Sequence, residues 1–152
     1  MPTTYSPDEL TQMLVAGAQA LGRTNVQAAV HLLTFTSLPH RRAFAELVEV
    51  ENVDWQDGPV LAAFVKNWKV LPGSAAADRL GGGDQRLLAL AVSLAGGEPV
   101  DLSTNLSVGG YAHARRVIEA VAIATGYGEH YEIRPTAKLD QLIAERDALL
   151  NS

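Results

Sequence analysis

QRLLALAVSLAGGEPVDLSTNLSVGGYAHARRVIEAVAIATG, running from Gln85 to Gly126, decides the fold class. Two strongly apolar helical segments flank a short connector rich in Pro, Gly, Ser and Asn. The first, Gln85 to Ala95, is apolar on nearly all sides, the pattern of a helix buried at the centre of a domain. Asp84 stands at its N-cap and Gly96-Gly97 closes it. Leu102 to Leu106 reads as one short turn. Gly109-Gly110 then precedes a longer helix from Tyr111 to Thr125, with Ala114, Val117, Ile118 and Val121 facing inward and Gly126 as its cap. A helix–turn–helix unit of this kind builds a core. It carries no catalytic or cofactor signature, so it speaks to folding rather than to function.

Working outward toward the N-terminus, Ser6, Pro7 and Glu9 form a capping box with proline at the first helical position. Leu10, Met13, Leu14, Ala18 and Leu21 give that helix one apolar face, and Gly22 stops it. Thr24 and Gln27 repeat the capping logic for a second helix. Its buried stripe is Val26, Ala29, Val30 and Leu33, while Gln27, His31 and Thr34 share another face. His31 finds a sufficient partner in a nearby Ser or Thr hydroxyl. Pro39 ends or bends the helix. His40 to Val48 reads as a short helix with Phe44, Leu47 and Val48 inward. The period then changes: Val48 and Val50 alternate with Glu49 and Glu51, then Val53 and Trp55 with Asp54, with a phase slip at Asn52. That is an edge strand with a bulge, or an extended arm. Asp57-Gly58-Pro59 turns into a helix carrying Val60, Leu61, Phe64, Val65, Trp68 and Leu71 on its apolar face, closed by Pro72-Gly73. Residues 73–83 are a surface loop with one helical turn around Ala75 to Arg79.

Toward the C-terminus, Tyr131 and Ile133 alternate with His130, Glu132 and Arg134 as a short strand. Thr136 caps a last amphipathic helix with Leu139, Leu142, Ile143 and Leu149. The expected architecture is mostly α: one compact, single-domain helical bundle over residues 1–152, of six or seven helices. A small two-stranded β ribbon pairs the Val48–Trp55 and Tyr131–Arg134 regions.

The 152 residues fit a single-domain length, with 47% hydrophobic and 19% charged residues and a net charge of −5. A chain of this size buries about two-thirds of its unfolded surface without staples. The absence of cysteine removes disulfides, thiolate catalysis and Cys-based metal sites. The opening MPTTYSPDEL lacks the basic and apolar regions of a signal peptide, and no apolar run approaches the ~18 residues of a membrane span. The expectation is a cytoplasmic protein with no membrane partner. The acidic balance opposes binding to nucleic acid without excluding a local basic patch.

Four constellations are candidates for chemistry. His40, Arg41 and Arg42, with His113, Arg115 and Arg116, form two basic clusters in the opening turns of helices. Arginine there offers bidentate donors to a phosphate, a carboxylate or an acidic partner; each cluster also fits a solvated helix face. The order of elements from 85 to 134 resembles a winged helix, with 111–125 as reader and 129–134 as wing. The apolar Ala120, Ala122 and Ile123, and the acids Glu129 and Glu132, argue against that. Glu46, Glu49, Glu51, Asp54 and Asp57 form an acidic row that lacks EF-hand spacing. Glu49, Glu51, Asp54 and Trp55 are therefore read as an edge that resists aggregation or docks a basic partner; core packing is the expected fate of Trp55 itself. Gly81-Gly82-Gly83 precedes a helix without the Lys-Ser or Lys-Thr of a phosphate loop, so it reads as a connector. The histidines at 31, 40, 113 and 130 show no metal spacing, and no serine-nucleophile elbow exists.

The function expected on these grounds is a regulatory or adaptor module that binds another protein without cofactor, metal or catalysis. A winged-helix DNA-binding regulator is the alternative. The helix Lys138–Leu150 is a candidate homodimer contact, because its leucines recur every three or four residues. An enzyme would need a pocket gathering ionisable groups such as His40, Arg42, His113 and Arg116.

Overall fold

In the computed structural model, which describes residues 4–152, the chain is mostly helical with one antiparallel two-stranded sheet. The sequence reading of the first ten residues as lacking a leader lies partly outside the described residues. The helices are α1 (Pro7–Leu21), α2 (Thr24–Leu33), α3 (Gly82–Gly96), α4 (Leu102–Asn105), α5 (Tyr111–Ala124) and α6 (Ala137–Leu150); the strands are β1 (Val48–Trp55) and β2 (Gly58–Val65). Short 3₁₀ turns at Leu38–His40, Arg42–Leu47, Trp68–Val70 and Ala75–Ala77 fill the connections. What reads as one short helix around 40–48 is thus two tight 3₁₀ segments, with Phe44 fully buried.

The capping box of α1 forms in both directions, Ser6 with Glu9, and Gly22 closes the helix in the left-handed conformation. α3 is central, as its sequence requires. Leu88 and Val92 face one core with Leu14, Val30, Leu33 and Phe44. Leu87, Leu90 and Ala91 face a second core with Ala28, Leu32, Val117 and Ala120. α2 is split between the two cores in the same way, which accounts for its nearly unbroken run of buried residues.

The region 58–71 departs from the expected helix. Val60 to Val65 is a six-residue apolar run, which periodicity alone assigns equally to a buried helix or a strand. Here the turn at Gln56-Asp57 folds it back on β1, and Gly58 takes φ +114°, which a side chain would resist. The ribbon therefore pairs Val48 with Val65 through Trp55 with Gly58, and not with Tyr131–Arg134. The register is continuous, so Asn52 marks no bulge. A lone hairpin is marginal in water. This one is supported by α1, whose Gly17 lies so close to β2 that a Cβ there would strike the Ala63 carbonyl. Residues 131–136 form no strand; with both strands already paired to each other, they run as irregular chain tied by an Arg115 Nη2 hydrogen bond to the Ile133 carbonyl at 3.3 Å.

Several local expectations shift for stated reasons. Thr24 does not cap α2; its hydroxyl donates to the Ala124 carbonyl at 3.1 Å and ties the start of α2 to the end of α5. Asp84 lies inside the first turn of α3 and is occupied by tertiary bonds, not by capping. The 73–83 segment is not wholly a surface loop, because Ala76, Ala77 and Leu80 enter the core. Trp68 sits half-buried on a 3₁₀ turn, and Trp55 is 44% exposed at the hairpin tip instead of packed inside. In α5, Val117 and Ala120 face the core as small residues against Ala28 and Ala29 of α2. Ile118 and Val121 consequently point outward, each 54% exposed, where an inward stripe was expected.

Candidate functional site

The seam between α2 and α5 holds a continuous polar strip. Gln27, His31 and Thr34 share one face of α2, as their spacing dictates. His113, Arg116 and Glu119 stack at i, i+3 and i+6 on the facing side of α5. Arg116 Nε donates to the His31 carbonyl at 2.7 Å, and its Nη2 donates to the Thr34 hydroxyl at 3.3 Å. The guanidinium also lies over the Phe35 ring, 5.4 Å from its centre. Phe35 meets His113 edge-on at 5.0 Å. His113 Nε2 donates to Asp84 Oδ1 at 3.0 Å, and the other Asp84 oxygen accepts from the Ser37 amide at 2.9 Å.

His31 bonds Glu119 Oε1 at 3.2 Å, so its partner is a carboxylate and not the expected hydroxyl. Burial, the largest influence, lowers the His31 pKa, and the positive charge of Arg116 lowers it further. Both outweigh the opposite pull of Glu119. The ring is therefore neutral near pH 7, and the contact is a hydrogen bond donated by Nε2 rather than an ion pair. Glu119 is shared, since Arg115 Nε stands 3.6 Å from its other oxygen. Burial also lowers the pKa of Arg116, which nonetheless stays charged.

Two concavities meet at Arg116. One, of about 390 Å³, lies among α1, α2, the end of α5 and the 126–130 turn, and is bordered by Gln19, Gln27, His31, Thr34 and Arg116. The other, of about 680 Å³, is a groove between α5 and α6. Ile118, Ile133, Leu139 and Ile143 supply its apolar surface, and Arg115, Arg116, Arg134 and the carboxylate Glu119 also line it, with Arg134 paired to Glu132 at 2.7 Å. A third, shallower depression of about 640 Å³ brings Gly81 and Gly83 beside Gly109 and Gly110, next to Asp84 and His113.

The structure thus unites part of the basic set. His113 and Arg116 belong to one strip, while Arg115 turns outward onto the groove. His40, Arg41 and Arg42 are exposed and border none of the three concavities that contain His113, Arg115 or Arg116. Glu49, Glu51 and Asp54 are exposed along β1 with Trp55 at its end. The sequence reading gave no site role to Glu119 or Phe35, and placed Ile118 in the core and Arg134 on a strand. The signal for Glu119 was present in its three-residue spacing from Arg116. For Phe35 the sequence holds none, since it meets α5 through tertiary contact, and Arg134 borders the groove only by the path of the 131–136 segment.

Among the described residues, no helix is long and apolar enough to cross a membrane, and no group of three or more His, Asp or Glu residues is placed to hold a metal ion. No protein-family model matches the chain, no curated protein matches it, and no solved structure matches its fold.

Proposed function

We propose that this protein is a regulatory or adaptor module whose α5–α6 groove docks an acidic amphipathic segment of another protein. The observation that carries the reading is α6. None of its 14 residues is buried, and Leu139 and Ile143, which line the groove, both stay part-exposed. A helix that leaves its apolar residues in water is poorly explained by its own fold, and contiguous exposed apolar surface is the ordinary mark of an interaction site. Ile118 of α5, 54% exposed, faces the same groove as Leu139 and Ile143. The charge along the groove supports the choice of partner. Arg115, Arg116 and Arg134 line it with the one glutamate Glu119, on a molecule whose net charge is −5, although Arg134 is also paired with Glu132 at 2.7 Å. Helix-in-groove recognition reads apolar anchors at helical spacing, and complementary charge around them sets the orientation.

The test uses two fluorescent amphipathic peptides with the same apolar spacing, one with an acidic polar face and one with a basic face. Anisotropy should rise only with the acidic peptide, and added salt should weaken the binding. Ile118→Asp and Arg115→Glu alter exposed positions, so both variants should fold and both should lose the peptide. Equal binding of both peptides, or of neither, overturns the proposal. A short DNA duplex in the same assay covers the winged-helix alternative. Light scattering covers self-association, and a dimer that protects Ile118 and Ile143 would assign the face to a second copy.

A further inference from the structure

The cavity behind Arg116, away from the α5–α6 groove, has the chemistry of a separate ligand site. Arg116 commits Nε and one Nη2 hydrogen to the His31 carbonyl and the Thr34 hydroxyl, and neither acceptor carries charge. A guanidinium has five N–H donors, so three are left. No carboxylate stands within ion-pair distance of Arg116 among the described residues. Glu119, one turn further along α5, is engaged by His31 at 3.2 Å and by Arg115 at 3.6 Å. Burial is the larger influence on this half-buried cation and lowers its pKa, while the charge of Glu119 acts on it only from beyond ion-pair distance. Its direct contacts are two neutral acceptors and the Phe35 ring. The cavity it borders is about 390 Å³, at the lower end of the roughly 300–1,000 Å³ that small-molecule sites occupy. Val15, Val30 and Ile123 give it apolar walls, while Gln19 and Gln27 add neutral polar groups. Its one carboxylate, Glu129, is exposed at the rim.

We propose that this cavity binds a small organic monocarboxylate, with the acid group on Arg116 and an apolar body against Val15, Val30 and Ile123. Arginine's planar fork fits a carboxylate bidentately. One guanidinium beside a neutral His31, with Glu129 at the mouth, matches a single negative charge better than a phosphate dianion. The site shares Arg116 with the groove, but Val15 and Gln27 border the cavity alone, so Val15→Trp tests the cavity without touching the groove.

Isothermal titration with phenylacetate, isovalerate, phenylacetamide and inorganic phosphate tests it on the intact protein. Phenylacetate or isovalerate should bind one per chain, and phenylacetamide at least about tenfold more weakly than phenylacetate, because it lacks the charge. Arg116→Lys keeps the charge but loses the fork and should weaken the acid by about tenfold. Val15→Trp fills the cavity from an exposed position of α1 and should abolish binding with the circular dichroism unchanged. If Arg116→Lys fails to fold, Val15→Trp and the acid-to-amide ratio decide. No binding by either acid, equal binding of acid and amide, tighter binding of phosphate, or binding that survives Val15→Trp overturns the assignment.

Discussion

Replacing Gly17 by Ala sets two effects of known sign against each other. Glycine inside a helix costs about 1 kcal/mol relative to alanine, so on propensity alone the substitution in α1 should stabilise the protein. The structure says otherwise. A Cβ at this position would overlap the Ala63 carbonyl oxygen of β2 and approach the Phe64 ring at 3.1 Å. A ring edge can move aside, but a backbone carbonyl of a paired strand cannot do so without shifting the strand. Overpacking of this kind costs about 1–3 kcal/mol, and the upper part of that range applies because the obstacle is main chain. The net expectation is a loss of about 1–2 kcal/mol, or a fall in Tm of about 2–8 °C for a chain of this size. Thermal and urea unfolding followed by circular dichroism measure it directly. Gly96→Ala is the matched control, since a Cβ there meets Lys69 Cγ and Trp68 Cβ at an ordinary 3.7 Å. It should melt at or above the parent. If Gly17→Ala also melts at or above the parent, α1 does not lie on the hairpin at this distance, and the placement of the acidic edge carrying Trp55 fails with it.

Stability should depend on pH through His31. Its folded pKa lies below the ordinary 6.5, so as pH falls the unfolded chain takes up the proton first. The contribution is complete above 6.5 and is lost as pH drops through that value toward the lower folded one. His31→Gln should flatten this segment of a plot of urea midpoint against pH, and a slope unchanged by the substitution would show that the imidazole is not buried as described. Removing residues 136–152 should cost about 1 kcal/mol or less, because α6 buries no residue, and Tm should stay within about 4 °C of the parent. In the intact chain, α6 amides should exchange with deuterium far faster than those of Leu87 to Val92. A large loss of stability, or equal protection of the two helices, would make α6 part of the core.

The fold was legible where a local rule had no competitor. The Ser6–Glu9 capping box, the left-handed Gly22, the Thr136 cap and the central position of α3 all follow from residues within one or two turns. β2 was not legible, because Val60 to Val65 satisfies strand and helix templates equally, and tertiary support from α1 decides between them. The Asp57-Gly58 pair was the available cue, since that dipeptide between apolar runs marks a hairpin. The strand expected at 131–134 failed for a complementary reason. Alternation supplies a face but no partner, and β1 is already paired with β2 on one edge by the shorter connection.

The site divides along the same line. That Gln27, His31 and Thr34 share a face, and that His113 and Arg116 share another, follows from helical spacing alone. That the two faces meet is a matter of how α5 rotates about its axis. Helical spacing places Ala114, Val117, Ile118 and Val121 inward, and of these Val117 is buried while Ile118 and Val121 are exposed. Packing adds Ala120 to Val117 on the inward face, because Ala28 and Ala29 of α2 admit only small neighbours at close approach. That single rotation turns Arg116 into the seam beside His31 and turns Ile118 out onto the groove. The internal cation and the external apolar face therefore have one origin, the small residues Ala28, Ala29 and Ala120, and enlarging any of them should disturb both surfaces together.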